Sequence, residues 1–172
     1  IMTFSNDAIL ICKHYEKFVA KPYLCPSKKA TIGYGATRYP NGIKVKLTDP
    51  PITEQVALEL LHITLASFAK DVSSVLKVPV TQNQFDALVD FAYNVGSDID
   101  SDSIAEGLGD STLLKLVNKD IMNKNADWKK LITKEFSKWI WGGDPKKKLP
   151  GLVARRQTES FLFTNNIVKY FN

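Results

Sequence analysis

Thr81-Gln82-Asn83-Gln84-Phe85-Asp86-Ala87-Leu88-Val89-Asp90-Phe91-Ala92-Tyr93-Asn94-Val95-Gly96 is the stretch on which the fold turns. Phe85, Leu88, Val89, Ala92 and Tyr93 recur at steps of three and four, which is one face of an α-helix. Pro79 precedes the pattern, the Thr81 hydroxyl suits the N-cap, and Gly96 can adopt the positive φ that closes a helix. Upstream, Val56, Leu60, Leu61, Leu65, Phe68, Ala69, Val72 and Leu76 carry a longer pattern of the same period, opened by the proline-containing turn from Thr48 to Thr53. At about 25 residues this helix would span nearly 40 Å, enough to join two lobes.

Toward the N-terminus, Ala8, Ile11, Cys12, Tyr15, Phe18 and Val19 predict a helix over 7–19, capped by Ser5, Asn6 or Asp7 and stopped by Pro22. Tyr23 to Leu47 differs in texture. It holds the β-formers and glycines of Thr31-Ile32-Gly33-Tyr34-Gly35, and an Asn41-Gly42 pair ahead of Ile43-Lys44-Val45-Lys46-Leu47, a hairpin signal. Helical spacing returns from Ser111, from Ala126 and from about Pro150. The expected architecture is a single α+β domain, mostly α-helical: a small β-hairpin lobe at about 20–55, and a larger helical lobe at about 78–172 that includes the N-terminal helix.

Composition excludes several classes. The 172 residues suit one domain, and 44% hydrophobic, 24% charged and 10% aromatic content lies far from disordered, collagen-like or disulfide-framework chains. No apolar run approaches the ~20 residues of a membrane span, so neither a signal peptide nor a transmembrane segment is expected. Two cysteines, Cys12 and Cys25, and two histidines, His14 and His62, are too few for a structural zinc site, and no cofactor is expected. The two thiols read as free, with Cys12 on the core face of its helix, and a Cys12–Cys25 disulfide formed on oxidation is the competing reading. Net charge is +5, unevenly spread: residues 1–123 carry 12 Lys and Arg against 14 acids, and residues 124–172 carry 11 against 4. A basic C-terminal third suits a polyanionic partner, and a solvated lysine face is the competing reading.

Glu16 lies one helical turn beyond Cys12, where apolar neighbours would keep its carboxyl protonated as a general acid. Eight residues separate Glu16 from Cys25, and five separate Cys25 from Thr31, which leads into Ile32-Gly33-Tyr34-Gly35. This spacing resembles the active-site signature of phage-type lysozymes, glycoside hydrolase family 24, in which the glutamate is followed by Asp or Cys and then Thr. Gln84 to Gly96 resembles the family's core helix, which ends in Asn-x-Gly. Ser111-Thr112-Leu113-Leu114 with Asn118, Trp141-Gly142-Gly143, and Gly151 to Glu159 are similar to its later segments. The resemblance runs from about Ile9 to Phe163 in family order.

The resemblance implies a lysozyme-like fold and hydrolysis of the β-1,4 bond between N-acetylmuramic acid and N-acetylglucosamine in peptidoglycan glycan strands. It implies Glu16, Cys25 and Thr31 as catalytic residues, and Thr37, Tyr93, Asn94 and Thr112 as residues lining the sugar cleft. Glu16 would protonate the leaving oxygen. The Cys25 thiolate would serve as nucleophile, base or charge stabiliser, and the Thr31 hydroxyl would position a water. Arg155 and Arg156 would reach the catalytic helix and tune Glu16. An endolysin of this kind would be a monomer that waits in the host cytoplasm and acts on the cell wall in the periplasm, with the basic third drawn to an anionic envelope and no nucleic-acid partner.

The chain departs from the family pattern at Ala36, where many relatives carry His, and over Ser97 to Asp110, a longer segment with five acids and no base. Asp98, Asp100 and Asp102 alternate as in an EF-hand, but Ser103 and Gly109 stand where Gly and Glu should be, which favours a solvated surface loop over a calcium site, and near a sugar cleft such a loop could act as a lid. Three other functions compete. A lytic transglycosylase would use the same glutamate, a Cys/His amidase or endopeptidase would use Cys25 with His14 or His62, and a basic binding module would use Lys146-Lys147-Lys148 without turnover.

Overall fold

The computed structural model describes residues 1–172. The central element is the helix opened by Thr81, α3 (Gln82–Val95), with α1 (Asn6–Glu16), α2 (Glu54–Val75) and α7 (Pro150–Asn165) packed around it. Its N-terminus forms a capping box: the Thr81 hydroxyl accepts from the Gln84 amide at 3.2 Å and the Gln84 side chain accepts from the Thr81 amide at 2.9 Å. Every residue from Phe85 to Ala92 is buried, so α3 is enclosed on all sides rather than amphipathic. Two of those buried residues, Asp86 and Asp90, are acids and must find partners inside. Asp86 accepts from the Ser5 amide at 2.8 Å and from the Ser5 hydroxyl, which ties the α1 N-cap to α3.

The long helix α2 runs 22 residues, roughly 33 Å at 1.5 Å per residue, from its N-cap at Thr53. Leu61, Leu65, Ala69 and Val72 belong to the large core with Ile11, Phe85, Leu88, Phe91 and Phe163. Leu60, one position over, belongs to a second small cluster with Ile32, Ala36 and Val45. One helix thus supplies apolar side chains to both clusters and fixes the β region against the helical body. Completing the helical side are α4 (Thr112–Asn118, N-capped by Ser111), the single turn α5 (Ile121–Lys124) and α6 (Trp128–Phe136). No helix is long and apolar enough to cross a membrane.

Three local expectations are corrected. The first helix ends at Glu16 rather than Val19: Lys17 adopts φ 56°, and Val19 instead begins β1 (Val19–Leu24), opposite Gly33 of β2 (Ala30–Gly33). Pro22 therefore lies inside a strand and does not stop the helix. The Asn41-Gly42 turn forms, with Gly42 at φ 82°, but Ile43 to Leu47 build no ladder beyond one bridge between Arg38 and Lys44. The paired hairpin of this region is β1 with β2. A second short hairpin, β3 (Trp141–Gly142) with β4 (Lys147–Lys148), interrupts the helical side where no strand was expected.

Candidate active site

Glu16 is the last residue of α1, and its side chain keeps 21% exposure. It packs with the Tyr93 hydroxyl against the Gly35 backbone. Gly35 lies beside it at φ 90°, and a Cβ there would stand 3.0 Å from Glu16 Oε2 and 3.1 Å from the Tyr93 hydroxyl oxygen. Only glycine meets both demands. Tyr93, near the end of α3, donates its hydroxyl to the Tyr34 carbonyl and closes the α3 side of the site over the small-lobe turn.

The surroundings of Glu16 differ from the apolar setting its sequence suggests. Arg155, on α7, donates from Nη1 to Glu16 Oε1 at 2.6 Å. The same guanidinium grips Asp90 of α3 with two bonds, Nε to Oδ2 at 3.0 Å and Nη2 to Oδ1 at 2.9 Å. Two parallel charge-assisted bonds fix its plane as well as its position. Cys12 donates to Asp90 Oδ1 at 3.0 Å, and the rings of Tyr15 and Tyr93 stand 5.8 and 6.0 Å from the Arg155 guanidinium carbon. Burial alone would raise the Asp90 carboxyl, and the Arg155 charge overrides it and holds Asp90 well below the usual carboxylate range. Burial, with the Asp90 charge beside it, pushes the Cys12 thiol up, so this sulfur is a neutral donor.

Arg156 does not reach Glu16. It turns to Glu159 Oε1 at 2.7 Å and to the Asn94 side-chain oxygen at 2.8 Å, and so orients Asn94. Burial pushes the Glu159 carboxyl up and the Arg156 guanidinium down, and each is opposed by the charge of the other. Asp90 and Glu159 escaped sequence reading. Their signal was available, because acids inside the apolar Phe85–Ala92 run need cations, and Arg155-Arg156 lie together on a late helix.

Cys25 opens the turn between β1 and β2, and Thr31 lies just beyond it in β2, paired with Tyr23 of β1. The Cys25 amide donates to the Lys29 carbonyl at 3.0 Å, and its sulfur meets the Ser27 hydroxyl at 2.9 Å. The Ser27 hydroxyl, aided by nearby backbone amides, lowers the Cys25 thiol to about 7 against the cost of burial. Thr31 is buried and donates to the Lys29 carbonyl at 3.0 Å, which leaves its lone pairs as acceptors. Both cysteines are free.

A cleft of about 610 Å³ brings together Glu16, Thr37, Tyr93 and Asn94, with Ser27 and Lys29 on the small-lobe side and Ile63 and Phe68 of α2 opposite. Cys25 and Thr31 are not on its wall, which their neighbours Ser27 and Lys29 form. Thr112 lines an adjoining cavity, also about 610 Å³, with Glu135, Lys138, Trp139 and Trp141, and the two cavities share Asn94 and Val95. Sequence reasoning missed Phe68 and Trp139, whose types and spacing are those of ordinary core residues. In the acidic segment, carboxylate oxygens of Asp98, Asp100 and Asp110 lie within 4.8 Å of one another, and Asp98 Oδ2 accepts from the amides of Glu106 and Gly107, each at 3.0 Å. Asp102 is not in that group. Glu106 lines the second cavity, so the segment borders the site.

A sequence model of the phage lysozyme family matches residues 13–159. The chain belongs to the phage lysozyme family. Among curated relatives of this phage lysozyme, an endolysin of Bacillus phage B103 is 38% identical over 164 residues, covering 94% of this chain and 54% of that protein. The chain thus spans about half the length of that relative. An endolysin of Acyrthosiphon pisum secondary endosymbiont phage 1 is 33% identical over 94% of this chain and 98% of its own length. Among solved structures, the endolysin from Escherichia coli O157:H7 phage FAHEc1 superposes with a TM-score of 0.81 at 28% identity, covering 98% of this chain and 97% of that one. The muramidase domain of SpmX from Asticaccaulis excentricus gives 0.74 at 25% identity, covering 95% and 98%. The fold of this phage lysozyme is lysozyme-like, α+β and mostly helical.

Proposed function

We propose that this phage lysozyme is an endolysin-type muramidase that hydrolyses the β-1,4 bond between N-acetylmuramic acid and N-acetylglucosamine in peptidoglycan. The carrying observation is the placement of Glu16: a carboxyl on the cleft wall with one oxygen engaged by a buried guanidinium and the other facing the cleft turn at Gly35. With Oε1 occupied by Arg155, Oε2 is the oxygen through which Glu16 delivers a proton to the leaving glycosidic oxygen as the bond breaks. Opposite, the oxocarbenium-like charge needs an anion or an activated water. The Cys25 thiolate supplies the first and the Thr31 lone pairs orient the second, once the β1–β2 turn brings them to the bound sugar. Thr37, Tyr93 and Asn94 hold the glycan in the cleft, and Thr112 acts where it continues into the second cavity.

The protein is further proposed to work as a monomer without a cofactor or nucleic-acid partner, held in the host cytoplasm until it reaches the wall in the periplasm. The lysines of the β3–β4 hairpin draw it to the anionic envelope. A Cys/His peptidase is disfavoured by the thiol's surroundings: Cys25 bonds Ser27, while His14 stacks on Tyr170 at 3.9 Å and His62 packs edge-on to Phe4 at 4.9 Å. Mass spectrometry of products from purified peptidoglycan tests the proposal. Reducing-end N-acetylmuramic acid supports it, anhydro-muramic ends would replace it with a transglycosylase, and freed peptides or new amino groups with an amidase or endopeptidase.

A further inference from the structure

The small lobe is basic, although the first 123 residues as a whole are not. Residues 20–55 hold six Lys and Arg (Lys21, Lys28, Lys29, Arg38, Lys44 and Lys46) against two acids, Asp49 and Glu54. Both acids are engaged elsewhere. Asp49 accepts from the Tyr39 hydroxyl and the Lys46 amide, each at 2.8 Å, and Glu54 accepts from the Tyr34 hydroxyl at 2.6 Å.

Three of these cations converge on one cavity of about 250 Å³, lined by Lys29, Ala30, Thr37, Arg38, Lys44 and Val45 and by no acid. Arg38 and Lys44 face each other as cross-strand bridge partners, a placement that costs stability when two like charges have nothing between them. Arg38 is held by donating Nη1 to the Gly42 carbonyl at 2.8 Å, and none of the three cations has a carboxylate partner. The Thr37 hydroxyl adds an uncommitted donor. Lys29, Thr37 and Arg38 also line the Glu16 cleft, so the cavity opens from the substrate channel.

We propose that this cavity is an oxyanion subsite of the substrate cleft, which receives a carboxylate or phosphoryl group carried by the glycan strand. The proposal rests on the muramidase reading for the identity of that strand. Concave sites of one charge sign concentrate the opposite charge, and an oxyanion between Arg38 and Lys44 relieves their mutual repulsion. Anionic substituents on the sugar therefore select the register in which the strand lies against Glu16.

Three peptide-free glycan chains separate the possibilities: one with free lactyl carboxylates, one with those carboxylates amidated, and one amidated but phosphorylated on the sugar. Their dissociation constants are measured by calorimetry at low salt on the Glu16→Gln protein, which binds without cleaving, and on Glu16→Gln carrying Lys44→Gln or Lys130→Gln. Lys130 lies on α6 outside the cavity and matches the charge change. The expected result is tighter binding of at least one anionic chain than of the neutral one, with that preference reduced about threefold by Lys44→Gln and unchanged by Lys130→Gln, the scale of an exposed ion pair. A response to the carboxylate chain assigns the lactyl carboxylate, and a response to the phosphorylated chain assigns a phosphoryl substituent. Equal binding of all three chains, or equal loss of preference in both lysine variants, overturns the subsite. Hydrolysis of the same chains by the unmodified enzyme is scored separately: no cleavage with a preserved binding preference sinks the muramidase reading and leaves the oxyanion subsite standing.

Discussion

Glu16 and Cys25 are proposed to act on one bond, yet they are held in opposite ways. Arg155 reaches Glu16 across 139 sequence positions and is itself locked by Asp90, 65 positions away, in the interior. Cys25 shares its hydrogen bond with Ser27, two positions on, in an exposed turn. A group fixed by buried ion pairs shares its fate with the fold, because removing either partner strands a charge inside. A group fixed by its own turn can change identity at small structural cost, which fits a family that accepts either Asp or Cys at that position.

The sharpest way to break this contrast is to remove the acid itself. Glu16→Gln keeps the shape of the side chain and an oxygen for Arg155 but offers no acidic proton, so lytic turnover falls by about a thousandfold, while the thermal midpoint moves little. Turnover within a few-fold of the unmodified protein would remove Glu16 from the mechanism. Asp90→Ala tests the buried half directly. It strands Arg155 and costs about 3–5 kcal/mol in denaturant unfolding, with activity lost alongside as the guanidinium no longer orients Glu16. A stability loss below about 1 kcal/mol would mean that the network does not couple fold to acid.

Legibility in the sequence divides along the same line. Helix starts were readable where the signal was local: Thr81 with Gln84, Thr53 and Ser111 all cap as their side chains suggest. The end of α1 was not, because Phe18 and Val19 continue the apolar period while the pairing of Val19 with Gly33 and the turn at Lys17 are tertiary events. The β3–β4 hairpin has two-residue strands, too short for any alternation to show. Within the site, the spacing of Glu16, Cys25 and Thr31 was visible. The Arg155–Asp90 grip was visible only as unexplained charges, since which acid meets which arginine depends on how α3 and α7 pack.

A smaller effect is expected from the exposed β3–β4 lysines, whose charges are screened beyond about 8 Å at 0.15 M ionic strength. Reversing Lys147 and Lys148 to Glu should flatten the decline of whole-cell lysis with added salt, by a few-fold at most, while hydrolysis of a soluble oligosaccharide keeps its rate. An unaltered salt profile would make these lysines a solvated face.

The contrast between a buried acid wall and a titrating turn is tested most directly by the pH dependence of kcat/KM in the unmodified enzyme and in Cys25→Asp. The fold lowers the Cys25 thiol to about 7 from 9.0. The thiolate is therefore favoured in the folded state, and its stabilisation is present above the unfolded value and lost as pH falls through about 7. Because the thiol sits half-exposed in a surface turn, its effect on stability is small and its effect on activity is the useful signal. A limb of kcat/KM that rises with pH through about 7 in the unmodified enzyme, and is absent in an active Cys25→Asp variant, is the predicted result. The same limb persisting in Cys25→Asp would assign the ionisation to another group and contradict the account.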